Sequence, residues 1–410
     1  MTGDQVIDLA DYAAFAECLE QIPPAAPECA CADLNGDTMV DLADFALLSL
    51  VFGKSSDETP PNCTGQPGTT ADLVAYRPQF KTGYAPFAKA AVPGSVEADA
   101  ALGPGIRINN PGDNDPQGED DLIEVTLLVD RPGASMALRR SDPALAVWTT
   151  RNKQAGTEVA FVDDLSDVLP LGPAATSLTL WVEWTTTSHG TAEFQVEPAG
   201  AAIARDALVF HTFHSIVMAL GGEDQPPSNP IDPNHGTFVV ARALYVQGFD
   251  VHMYDEDVVT ADGSGEAFDV VADAIQHRMV NEVAIYGYSH GGGSTYDLAE
   301  RLDIRRAMLG VFDITFTSYV DSVSNNSDVD VAQELRRPPT TAYHANHYQH
   351  GSLFEDFFLD GGPVPNSNPS PTGLDVETTP WGATSTHFQV DDFVQVRSYI
   401  ESALTPRVTR

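Results

Sequence analysis

Val283-Ala284-Ile285-Tyr286-Gly287-Tyr288-Ser289-His290-Gly291-Gly292-Gly293 runs from four strand-forming residues into a glycine-flanked serine. After it, Ser294, Tyr296, Leu298, Ala299 and Leu302 fall at helical spacing. The stretch therefore reads as strand, sharp turn, helix. A serine on such a turn sits in strained backbone, and crowding is relieved only if the residues two before and two after it are small. Gly287 and Gly291 occupy those places. The turn lifts the Ser289 hydroxyl above the strand end, where the amide of His290 can donate to a developing oxyanion.

Working outward, the same rhythm continues on both sides. Ser215 to Leu220 is an apolar run ending at Gly221-Gly222, and Gly236 to Gly248 carries Phe238, Val239, Ala241, Leu244 and Tyr245 at helical spacing. Val251 to Tyr254 reads as a strand and Ala267 to Met279 as a helix. Thr315 to Val323 and Thr341 to Tyr348 are the next strands downstream. Such alternation specifies a mostly parallel sheet covered on both faces.

On these residues the segment 206–410 resembles the α/β-hydrolases, particularly lipase- and esterase-like members with a histidine beside the nucleophile. The resemblance implies the chain order nucleophile, acid, base. Ser289 is then the nucleophile. His387, in the loop Gly382 to Phe388 before an amphipathic helix starting near Val390, is the base. Asp321, after the strand that follows the nucleophile helix, is the favoured acid; Glu355, Asp356 and Asp360, after the next strand, are the alternatives. His290 and the Gly221-Gly222 pair match the positions from which the family draws oxyanion amides. His344, His347 and His350 recur every three residues, but alternate residues of a strand point oppositely, which argues against a shared metal. His211 and His214 read as core or sheet-edge residues.

The N-terminus carries a different signal. Gly3-Asp4-Gln5-Val6-Ile7-Asp8-Leu9-Ala10-Asp11-Tyr12-Ala13 recurs as Gly36-Asp37-Thr38-Met39-Val40-Asp41-Leu42-Ala43-Asp44-Phe45-Ala46. In the second copy Asp33, Asn35, Asp37, the Met39 carbonyl, Asp41 and Asp44 take positions 1, 3, 5, 7, 9 and 12 of a calcium loop. The repeat resembles a type I dockerin over about residues 1–55. That implies structural Ca²⁺ and a cohesin domain as partner. In the first copy Asp4, Asp8 and Asp11 remain, but position 3 is Thr2 and position 1 would precede Met1. The expectation is a truncated first loop in a chain that starts inside a longer product, which also accounts for the absence of a signal peptide.

Residues 56–70 have the Ser, Thr, Pro and Gly content of a linker. From 71 to 205, short strand-like runs such as Leu122 to Val129, Ser135 to Arg139 and Leu178 to Trp184 are separated by turns, which argues for a β-sandwich accessory domain. Its loop from Asn110 to Asp121 is acidic and reads as solvated.

Composition narrows the rest. With 21 Lys and Arg against 59 Asp and Glu, and a net charge of -38, no phosphate-binding face is available, which excludes nucleic acid and anionic membranes as partners. No apolar run reaches bilayer length. All four cysteines lie at or before Cys63, which suggests disulfides and an oxidising compartment, with Cys18–Cys29 and Cys31–Cys63 the favoured pairing. The overall expectation is a secreted, cell-surface or periplasmic multidomain protein: a small helical dockerin-like module, a β-sandwich and an α/β-hydrolase. It hydrolyses small or polymeric carboxylic esters and needs no cofactor for catalysis. Rival readings are a non-catalytic scaffold or adhesion protein and another acyl hydrolase, such as a peptidase or thioesterase.

Overall fold

The computed structural model describes residues 71–75, 105–112, 121–129, 132–166, 168–198, 206–223, 225, 235–324, 333–350, 359, 361–365, 372–381 and 386–410. The chain divides into two units, Met1–Thr69 and Thr70–Arg410. The calcium-loop repeat with its ligands, the four cysteines and the linker lie outside the described residues. So do Asp113, Asp115, Glu119 and Asp120 of the acidic loop, and Glu355, Asp356 and Asp360.

The first part of the larger unit is antiparallel except for the short parallel pairing of its strands at Ile106–Arg107 and Asp206–Thr212. One sheet holds β1 (Ala71–Ala75), β3 (Ile123–Val129), β9 (Ser177–Trp184) and β5 (Leu145–Trp148), in that order. The other runs β2 (Ile106–Arg107), β11 (Asp206–Thr212), β10 (Gly190–Pro198), β4 (Ser135–Arg140), β7 (Leu165–Ser166) and β6 (Phe161–Val162), with β8 (Leu169–Pro170) on β4. Period-two alternation explains the packing. Val125, Leu127 and Val129 of β3 and Phe194 and Val196 of β10 turn into one shared core, while intervening residues face out. Strand β11 pairs with β10 along Gly190–Val196, so the stretch from Asp206 belongs to this layer. The expected boundary at 205/206 is therefore corrected: the chain leaves this mostly antiparallel sheet after Thr212 and enters the parallel one at Ser215.

That parallel sheet has the order β13 (Val251–Tyr254), β12 (Ser215–Leu220), β14 (Glu282–Tyr288), β15 (Asp313–Val320), β16 (Tyr343–Tyr348) and β17 (Gly373–Glu377). Every pairing in it is parallel. Its helices are α1 (Gly236–Val246), α2 (Glu266–His277), α3 (His290–Leu309) and α4 (Val394–Leu404). Every residue of β12 is buried, as a strand covered on both faces requires. Helix α2 shows why a surface helix docks: Ala267, Phe268, Val271, Ala274 and Ile275 form one apolar stripe. Truncating a filled position such as Ile285 to Ala costs about 2–5 kcal/mol, because the tight surroundings cannot collapse into the hole.

From β12 the chain crosses to β13 on one side, then returns past β12 to β14 on the other. The carboxyl ends of β12 and β14 thus flank the point where strand order reverses. In open α/β sheets such a point is where the connections leave to opposite sides and a ligand crevice forms.

Candidate active site

Both strands at that crevice end in the residues singled out by sequence. Strand β14 stops at Tyr288, Ser289 turns the chain at φ 54° and ψ −127°, and α3 begins at His290. Left-handed backbone at a non-glycine residue costs about 1–3 kcal/mol and persists only when its surroundings impose it. Here the Ser289 amide donates to the Val320 carbonyl (3.0 Å), and its carbonyl accepts from the amides of Gly292 (2.9 Å) and Val323 (2.9 Å). The flanking glycines are steric necessities. A Cβ on Gly287 would overlap the Gly291 carbonyl, and one on Gly291 would overlap the carbonyls of Leu220 and Gly221.

His387 stands in a short 3₁₀ turn, His387–Gln389, ahead of α4. Its Nε2 is 2.8 Å from Ser289 Oγ and its Nδ1 is 2.8 Å from Asp321 Oδ2. All three side chains are buried. In the neutral imidazole only one tautomer satisfies both contacts: Nδ1–H donates to Asp321, and Nε2 accepts from the serine hydroxyl. The phenol of Tyr288 donates to the His387 carbonyl at 2.7 Å, and its ring stacks against the imidazole with centroids 5.3 Å apart.

Asp321 is the residue after β15 and, like Ser289, has positive φ (45°). Its amide donates to the His347 carbonyl (2.6 Å). Oδ1 accepts from the amides of Gln349 (3.1 Å) and Gly361 (2.9 Å); Oδ2 accepts from Gln349 Nε2 (2.9 Å) as well as from His387. Gln349 and Gly361 were not among the residues expected at the site. Neither stands near Ser289, Asp321 or His387 in sequence, so no local pattern marks them.

The oxyanion positions separate. Gly221 donates its amide to the Tyr254 carbonyl at 2.7 Å, prolonging the β12–β13 ladder, so the expectation of an oxyanion donor there is corrected. Gly222 lies against Ser289: a Cβ on it would stand 3.0 Å from Ser289 Cβ. Its amide donates to Gln225 Oε1 at 3.2 Å. His290 supplies the first amide of α3, while its ring turns toward Glu223, with Nε2 3.8 Å from Oε2. Burial pulls the His290 pKa below its usual value, against the raising effect of Glu223 and with a smaller lowering effect of His387.

The rings of the other histidines singled out by sequence make their contacts elsewhere. His344 Nδ1 contacts Thr317 Oγ1 at 2.8 Å on one face of β16, while His347 packs edge-on to Trp381 and Tyr399 on the other. His214 stacks on His189 with centroids 3.7 Å apart. Together with His211 and Arg410 they line a cavity of about 430 Å³ at the amino-terminal end of β12, opposite the Ser289 end. Among the described residues no group of three or more His, Cys, Asp or Glu is arranged to hold a metal ion, and no helix is long and apolar enough to cross a membrane.

No protein-family model and no curated protein matches the chain. Solved structures similar to parts of it include a carbohydrate acetylesterase from Xanthomonas citri, at 10% identity, with 55% of this chain and 59% of that one covered and a TM-score of 0.19. An acetyl xylan esterase from Butyrivibrio proteoclasticus matches at 8% identity over 83% of this chain and 97% of that one, with a TM-score of 0.21. A conjugative transposon lipoprotein from Bacteroides eggerthii matches at 9% identity over 35% and 91%, with a TM-score of 0.16. At such scores these likenesses bear on neither fold nor activity.

Proposed function

We propose that this protein is a serine hydrolase of carboxylic esters, built on an α/β-hydrolase layout, with Ser289, His387 and Asp321 as its triad. The observation that carries the reading is the pair of 2.8 Å contacts through His387, centred on a serine held at positive φ where the strand order reverses. Strained backbone and a buried hydrogen-bonded relay are costly, and a protein retains them where chemistry uses them.

In the proposed cycle, Ser289 Oγ attacks the acyl carbon as its proton passes to His387 Nε2. The imidazolium that forms is stabilised, and its tautomer held, by Asp321. The carbonyl oxygen becomes an oxyanion facing the amides of His290 and Gly222. Collapse expels the alcohol, which takes the proton from His387, leaving an acyl group on Ser289. Water, deprotonated by the same imidazole, then releases the acid. No step requires a metal or organic cofactor. By the same reasoning from sequence, the N-terminal repeat binds structural Ca²⁺ through Asp33, Asn35, Asp37, Met39, Asp41 and Asp44. It docks to a cohesin domain of a surface or extracellular partner.

Fluorophosphonate labelling followed by peptide mapping tests the core of the proposal. The adduct should fall on Ser289 and vanish in Ser289→Ala. No adduct on folded protein would sink the enzyme reading. A panel of p-nitrophenyl esters beside peptide and thioester substrates then distinguishes ester hydrolysis from the other acyl transfers.

A further inference from the structure

We propose that Gln349 is a positioning residue that limits the pull of Asp321 on His387, and thereby sets the pH below which turnover is lost. The inference rests on the reading of Ser289, His387 and Asp321 as a triad. It adds a residue that acts on the base only through the aspartate.

Asp321 Oδ2 is a shared acceptor. It takes one hydrogen bond from His387 Nδ1 at 2.8 Å and one from Gln349 Nε2 at 2.9 Å. Oδ1 takes the backbone amides of Gln349 and Gly361, at 3.1 and 2.9 Å. Asp321 and Gln349 are 0% exposed and His387 is 2% exposed, so protein donors rather than bulk water set the charge that the imidazole meets. Two of the three donors besides His387 are backbone amides, which a side-chain substitution leaves in place. The third, Gln349 Nε2, lies on the oxygen that holds the histidine. At the other end of the carboxamide, Oε1 is buried with no hydrogen-bond partner among the described residues. The polar end of this side chain therefore serves the aspartate rather than a wider network.

A hydrogen bond donated to a carboxylate favours its ionised form and makes it a weaker base. A donor on Oδ2 thus has two effects on the relay. It keeps the shared proton on imidazole Nδ1, and it withdraws negative charge from the oxygen that faces the imidazolium. Without Gln349 Nε2, Oδ2 pulls harder on Nδ1–H, and His387 holds a second proton more tightly. A base made too strong in this way is already protonated in the resting protein at higher pH. It also returns its proton to the leaving alcohol less readily. Other titratable groups stand beside the relay: the Tyr288 phenol on the His387 carbonyl, and His290 with its ring turned to Glu223. Substitution at 349 leaves these groups in place, so a change in the pH profile reports the bond to Oδ2.

The test is Gln349→Met in the full chain, which keeps side-chain length, loses the donor and leaves both backbone amides on Oδ1. For a short p-nitrophenyl ester, the acid half-point of kcat/KM should rise by about half to one pH unit, a roughly three- to tenfold gain in proton affinity. KM on the plateau should stay as in the wild type, because Gln349 is buried behind the aspartate. The proton resonance of His387 Nδ1–H should move downfield as its bond to Oδ2 tightens. The melting temperature should change little, since the lost hydrogen bond is offset by removal of an unmet buried acceptor. Gln349→Leu should give the same shift and covers the case in which methionine disturbs the packing. An acid limb that stays in place or moves to lower pH in both variants overturns the proposal. If the melting temperature then falls as well, Gln349 has a purely structural role. Absence of Ser289 labelling by fluorophosphonate in the wild type would remove the triad reading and this one together. Labelling that is present, with the acid limb unmoved in both variants, removes this one alone.

Discussion

Tyr288 and His387 are joined from two sides: the phenol donates to the histidine's backbone carbonyl at 2.7 Å, and the two rings stack. The residue before Ser289 thus positions His387, although 99 residues separate them in the chain. Tyr288→Phe keeps the stacked ring and removes only the hydrogen bond. We expect kcat to fall about tenfold with KM little changed, the size of one buried bond. Steady-state kinetics beside a thermal melt would check this; a change in KM alone would contradict a positioning role.

Asp321 accepts four hydrogen bonds, three of them from Gln349 and Gly361. Asparagine in its place must turn an N–H₂ toward one of those donors or toward His387 Nδ1. Asp321→Asn should lower kcat by about 10⁴, as wrong-tautomer variants of such triads do. It should also lower the melting temperature, which separates it from Ser289→Ala. Retention of a tenth or more of the wild-type rate would point to another acid.

A second buried carboxylate joins the antiparallel and parallel layers. Asp250 is fully buried and contacts Arg107 of β2, His252 Nε2 (3.0 Å) and Arg278 Nη1 (2.8 Å). Burial alone would raise its pKa, but Arg107, His252 and Arg278 together hold it well below the ordinary carboxylate value. Asp250→Asn leaves two buried guanidinium groups facing a neutral amide, so a loss of about 3–5 kcal/mol is expected. Urea denaturation measures it, and a loss below about 1 kcal/mol would mean that water reaches the cluster.

Acid should destabilise the fold through its buried imidazoles. Burial lowers the His347 pKa to about 4, and burial, with Arg337 and His347 adding, holds that of His344 well below 6.5. Between pH 6.5 and about 4 the unfolded chain binds protons that folded His347 refuses, so stability falls as pH falls through that window. The full contribution of His347 is about 3 kcal/mol. Glu256 acts oppositely: burial raises its pKa to about 7, so between 4.5 and 7 stability from this group falls as pH rises. Melting temperatures from pH 4 to 7 for wild type and His347→Asn should converge at the acid end, since the variant has lost the titrating group. Parallel curves would exclude His347 as the cause.

Much of this was legible in the residues. Ser289 could be found because an elbow imposes local demands: four strand-formers before it, glycines two residues on either side, a helix after it. Asp321 and His387 were legible more weakly, through chain order and their places after a strand and before a helix. The layer that holds Asp206–Thr212 was not legible, because alternation identifies a strand but not its partner. Ladder bonding to β10 decided that.

What the sequence by itself determined is the set of local conformations, since steric crowding at a turn and the period of apolar residues depend only on neighbours in the chain. It could not decide where each amide donates. Gly221 and Gly222 are adjacent and identical, yet the first donates to the Tyr254 carbonyl of a neighbouring strand and the second to Gln225 Oε1. Nor could it supply Gln349, Gly361 and Tyr288 as supports of Asp321 and His387. Hydrogen bonds of that kind are made across strands and loops far apart in the chain. Only the packed sheet brings donor and acceptor within hydrogen-bond reach, 2.7 to 3.1 Å here, and excludes the water that would otherwise satisfy both.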